Sequence, residues 1–252
     1  MFTLTTTPVT FIGLTVLFIW CILWSARDLL AAVGVDLPAS WAPAEPLAHR
    51  TPIAISQSFH LVMSIVMLVM VPRAWWTALP EALRGPTLIA VMAAGAIWMA
   101  AMAIWKISWL AVGHTAMFAA MVWHLASMAS HTAMSMTGAA AARPSGGHSG
   151  MAGMGHPASP AATTGPSGLT LVTGVGLPLM ACLLVLGISG LVRVITGRPP
   201  HPGQPACCHT TPTTAGSARL SGLFDAAMGL GMAWMSAGLM SPLIPVLGHL
   251  HP

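Results

Sequence analysis

The chain has 252 residues, 56% of them hydrophobic and 6% charged, with a mean hydropathy of +0.79. A soluble domain carries about 25% charge, so the composition excludes one and points to an integral membrane protein in contact with a lipid bilayer. Nine Lys and Arg against five acids are too few and too scattered for a nucleic-acid footprint, and no nucleic-acid partner is expected.

Apolar runs of about 20 residues signal bilayer-crossing helices. Six occur, roughly at 9–27, 53–71, 87–107, 111–131, 169–195 and 221–244. They predict an all-α fold, a polytopic six-helix transmembrane bundle forming one domain over 1–252. The first run lacks the basic flank of a cleaved signal peptide and is expected to stay as an anchor. Pro72 and Pro80, with Arg73 and Arg84, punctuate the second connection, while Lys106 to Gly113 is a short turn that makes spans three and four a tight hairpin. Residues 138–168 (Ala, Gly, Pro, Ser) and 196–219 (Pro, Thr) read as flexible loops.

Basic residues near the spans set orientation. With the N-terminus outside, the inner loops hold Arg27, Arg50, Lys106, Arg193, Arg198 and Arg219, and the outer loops hold Arg73, Arg84 and Arg143. This bias predicts a plasma-membrane protein with both termini outside. Tyr is absent and Trp is frequent near span ends, as an interfacial belt requires.

Spans two, four and six carry one pattern. It reads His60-x-x-Met63-x-x-x-Met67-x-x-Met70, then His114-x-x-Met117-x-x-x-Met121-x-x-His124 continuing to Met128 and His131, then Asp225-x-x-Met228-x-x-x-Met232-x-x-Met235. At about 100° per residue, such spacing keeps four side chains within roughly a quarter of the helix circumference. Each ladder lies on the returning helix of a two-helix hairpin, so the chain reads as three hairpin repeats with three parallel ladders. Convergence of these faces would stack rings of thioethers, with His60, His114 and Asp225 within a turn or two of the inner end. Thioethers and imidazoles suit a soft ion such as Cu(I). The same stripe suits the packing seam of a left-handed bundle, where Met fills irregular gaps.

Ionisable groups inside spans by default mark a pathway, a ligand or a buried pair. Asp225 reads as the one acid well placed in a span. It could neutralise a passing cation or accept a hydrogen bond from His60 or His114, fixing the imidazole tautomer for metal ligation. Gly222, Ala226, Gly229, Gly231, Ala233 and Gly238, and on span five Gly174, Gly176, Gly187 and Gly190, read as close-packing positions.

Two loops add soft donors. The outer one holds His148, Met151, Met154 and His156, and suits metal capture. The inner one holds His201 and then Cys207, Cys208 and His209, whose thiols would bind Cu(I) or Zn(II) when reduced, although the C-x-x-C spacing of established sites is missing. Cys21 and Cys182, inside spans, read as small hydrophobes. His249 and His251 form a short terminal pair.

These motifs resemble those of the eukaryotic high-affinity copper transporters, which combine Met/His-rich outer segments, a transmembrane M-x-x-x-M and a cytosolic Cys/His tail. The matching pairs here are Met63/Met67, Met117/Met121 and Met228/Met232, but those transporters are trimers of three-span chains. The segments His60–Met70 and Met228–Met235 also resemble an uncharacterised family of polytopic membrane proteins from high-GC bacteria. That resemblance implies a fold and no activity.

The expected function is binding of Cu(I), with transport or hand-over to a metal-donor or acceptor protein, as a monomer or homo-oligomer. One alternative is a haem-bearing electron-transfer subunit using His60 with His114, His124 or His131. Another is an accessory subunit with a Met packing seam. The sequence offers no acidic pair, nucleophile–base set or phosphate-binding loop, and no enzyme activity is expected.

Overall fold

The structure, a computed structural model, describes residues 7–35, 50–106, 109–141, 166–198 and 215–240. Seven α-helices follow one another: α1 (Pro8–Ala32), α2 (Arg50–Met70), α3 (Arg73–Ala78), α4 (Leu88–Lys106), α5 (Trp109–Ala141), α6 (Pro166–Thr196) and α7 (Ala215–Met240). A π-helical turn, Leu83–Thr87, leads into α4 with a non-helical kink at Gly85 before Pro86. Among the described residues, five helices are long and apolar enough to cross a bilayer: α1, α2, α4 with the turn before it, α5 and α6. This is a multi-pass all-α membrane protein.

α7 is not among these five; its apolar run, expected over 221–244, extends beyond the described residues. It is nevertheless deeply packed, with Ala218, Phe224, Ala226, Ala227, Met228, Met232 and Ala233 all buried.

The expected hairpins are present. α1 packs most extensively on α2, α4 on α5 and α6 on α7, while α5 against α6 and α1 against α7 join the pairs. α6 and α7 approach closely because both faces lack side chains. A Cβ on Gly190 would come 2.5 Å from the Ala226 amide nitrogen, and one on Gly229 would come 2.7 Å from that of Gly187. Such backbone proximity is the means by which helices associate where lipid offers no hydrophobic drive.

Helix ends follow local chemistry. α1 closes in a Schellman motif: Gly34 takes φ 84, its N–H donates to the Ala31 carbonyl, and Val35 N–H donates to Leu30. α1 thus runs past its expected end at residue 27 and carries Asp28 inside, 1% exposed, with Arg27 3.5 Å away. Asp225 is therefore not the one acid within a spanning helix. α3, between Pro72 and Pro80, is a short element in what reads as a plain connection.

Candidate functional site

The ladder faces turn inward. Met63, Met117 and Met228 are 0% exposed, and Met67, Met121, Met232 and Met70 are also buried, while Met235 and Met128 are half-buried. His60, His114 and Asp225 are 0% exposed, and His124 is buried further along α5. α4 contributes equally: Met92, Met99 and Met102 are fully buried, at spacings of seven and three. Thioether burial is therefore not confined to the three parallel helices, and part of the Met content is packing.

At the head of the ladders, His60, His114 and Asp225 come together from α2, α5 and α7. His60 Nδ1 lies 2.8 Å from the Ser56 carbonyl oxygen. A carbonyl only accepts, so this nitrogen carries the hydrogen and Nε2 is the ring's other face. His60 Nε2 lies 2.9 Å from His114 Nδ1, and the two rings meet edge to face with centroids 4.7 Å apart. His114 Nε2 in turn faces Asp225 Oδ1 at 3.6 Å. The other carboxylate oxygen accepts from Arg193 Nη2 of α6.

Each member is held by its own helix. Ser56 sits one turn before His60, so its carbonyl points along the axis at the ring, and its hydroxyl accepts from Trp98 Nε1 at 3.0 Å. Ser64, one turn after, donates to the His60 carbonyl at 2.8 Å and lies 3.8 Å from Met228 Sδ. Phe118 and Phe224 pack edge-on against His60, at 5.3 and 5.8 Å between centroids. The aromatic walls exclude water and limit ring rotation. Arg193 reaches Asp225 because Gly187 and Gly190, on the preceding turns of α6, let α7 approach.

The three polar gaps have a simple proton count. The gaps are Ser56 to His60, His60 to His114, and His114 to Asp225. Two neutral imidazoles carry two N–H groups in total. With His60 bound to Ser56 and His114 Nδ1–H donating to His60, a neutral His114 presents a lone pair to the carboxylate. If instead His114 carries its hydrogen on Nε2, toward Asp225, then His60 Nε2 and His114 Nδ1 face each other as two lone pairs. One added proton allows all three gaps to be favourable at once, whereas a metal ion would need the two facing nitrogens to part to about 4 Å, the span of two metal–nitrogen bonds of ~2 Å.

Of the outer ring nitrogens, that of His60 is held by a backbone carbonyl, and that of His114 faces a carboxylate at 3.6 Å. That is the outer-shell arrangement usual for ligating histidines. Two inward nitrogens, with Met63, Met117 and Met228 buried one turn beyond His60, His114 and Asp225, would make a soft, neutral donor set. Among the described residues there is no group of three or more His, Cys, Asp or Glu placed to hold a metal. An imidazole–carboxylate cage of the zinc type is thus not supported by these residues, and any metal held here would rely on sulfur.

His114 lies near the start of α5, but His60 and Asp225 sit roughly three turns into α2 and α7. Arg193, read in the sequence only as a topology signal, is the direct partner of Asp225. His131 lies on α5 where side chains are not described. The loop sets His148, Met151, Met154, His156 and Cys207, Cys208, His209 fall outside the described residues, as do His201, His249 and His251. Cys21 is buried and Cys182 exposed, and both are free thiols.

Comparison with protein-family models, curated proteins and solved structures returned no match.

Proposed function

We propose that this membrane protein holds a soft monovalent ion, Cu(I), between His60 and His114 and passes it along the thioethers of the bundle interior to an acceptor protein. The observation that carries this reading is the pair of buried ring nitrogens facing each other at 2.9 Å, with the opposite nitrogen of each ring directed at Ser56 or Asp225. Cu(I) would take the place of the shared proton with the rings parting to about 4 Å, the span of two metal–nitrogen bonds of ~2 Å, and Met63, Met117 or Met228 would complete a low-coordinate shell. Asp225 would hold the His114 hydrogen on Nε2, and Arg193 would balance the carboxylate charge. The protein in this reading binds and conveys and is not an enzyme.

A haem between His60 and His114 is disfavoured by the same geometry, since axial imidazoles need a macrocycle between them and these two rings touch. A purely structural role finds support in Met92, Met99 and Met102, which are buried without belonging to a ladder. Anaerobic titration of the purified protein with Cu(I), against a chromophoric chelator, separates the readings. One tightly held equivalent is expected, lost on His60→Ala and retained on His124→Ala. No copper withdrawn from the chelator, or equal retention by both variants, would remove the copper site.

A further inference from the structure

A groove of about 730 Å³ runs along the outer side of the bundle between α5 and α6. Its walls are Val112, Gly113 and Ala116 on one helix and Cys182, Val185 and Leu186 on the other, and one end is closed by Trp109, Arg193 and Arg198. From Ala181 to Arg193 the groove follows α6 for about 18 Å, close to the ~15 Å of one leaflet of hydrocarbon. Both wall helices are among those apolar enough to span a bilayer, so this groove opens toward lipid. Trp109 is 83% exposed at the arginine end, the position of a headgroup-level aromatic.

The side chains lining that end carry positive charge, Arg193 being paired with Asp225 behind it. No Asp or Glu lines the groove, and Arg198 is exposed and takes part in no ion pair among the described residues. Arg219 adds to it, since its guanidinium lies beside Gly197 at the end of α6. An apolar channel one leaflet long that ends in arginines is complementary to a single amphiphile with a long chain and a negative head.

We propose that this groove binds an anionic glycerophospholipid, one acyl chain lying between α5 and α6 and the phosphate at Arg198, beside Arg193. Arg193 also holds Asp225, so the bound phosphate shares a cation with the buried histidine pair. The site stands independently of what that pair carries.

Native mass spectrometry of the purified full-length protein in detergent tests it, with phosphatidylglycerol and phosphatidylcholine as probes. Wild type is expected to retain phosphatidylglycerol preferentially, and Arg198→Gln to weaken that retention roughly five-fold, the effect of one arginine near a lipid surface. Ala116→Phe, which fills the channel, is expected to lower retention as well, while Arg84→Gln is expected to leave it unchanged. Equal retention of the two lipids by wild type, unchanged retention in Arg198→Gln, an equal loss in Arg84→Gln, displacement by inorganic phosphate, or a dimer in place of lipid adducts would each overturn the proposal.

Discussion

Replacing Asp225 by Asn removes one charge from the centre of the bundle and almost no volume. Asp225 is 0% exposed and Arg193 is 21% exposed. Removing one partner of a buried pair costs about 3–5 kcal/mol, because the other charge is left without compensation. In Asp225→Asn that charge is Arg193, close to the end of α6 with a long aliphatic stem that can carry the guanidinium toward the interface. The cost therefore falls at the low end, about 3 kcal/mol. In Arg193→Gln the orphan is a fully buried carboxylate, and the cost falls at the upper end, near 5 kcal/mol. The double variant leaves no orphan charge, so it should cost no more than Asp225→Asn alone, which puts the coupling at about 5 kcal/mol or more. Equilibrium unfolding in mixed micelles, followed by tryptophan fluorescence, measures all four corners. A coupling below about 0.5 kcal/mol would show that the two side chains are not the energetic unit described here.

Two further outcomes follow from the packing. Gly190→Ala places a methyl group 2.5 Å from the Ala226 nitrogen, so α6 and α7 must separate, and a loss of more than about 2 kcal/mol is expected by thermal unfolding. Gly13→Ala, with nothing within 4 Å, is expected to be neutral or to gain up to about 1 kcal/mol. Changing Met67, Met121 and Met232 together to Leu nearly conserves volume, at under about 1.5 kcal/mol each. Under the thioether-relay reading the triple variant stays folded but loses copper flux in proteoliposomes at least ten-fold. Unchanged flux would assign those ladders to packing.

Much of this architecture is legible in the residues, because the signals are local. A run of apolar side chains predicts each spanning helix, and the turn expected at Lys106–Gly113 predicts the α4–α5 hairpin, although α4 reaches Lys106 and α5 already starts at Trp109, with Gly113 inside it. The 3-4-3 spacing predicts a buried face on α2, α5 and α7, and Met63, Met117 and Met228 are all fully buried. Asp225, expected to accept a hydrogen bond from His60 or His114, comes to 3.6 Å from His114, an ion-pair distance rather than a hydrogen bond. What escapes a reading of single helices is what depends on two. Arg193 looks like a topology residue until Gly187 and Gly190 are set against Gly222 and Gly229, which brings it over Asp225. Ser56 takes part through its carbonyl, which no residue type announces. Met92, Met99 and Met102 are buried on α4 at spacings of seven and three, a pattern with no ionisable head to mark it in the sequence.

The central proposal is most directly tested by X-ray absorption at the copper edge on protein loaded with one equivalent of Cu(I). Ligation between His60 and His114 predicts a mixed shell, with the multiple-scattering signature of two imidazole rings beside at least one sulfur. An all-sulfur shell without imidazole scattering would contradict it and move the ion to the methionines or cysteines alone.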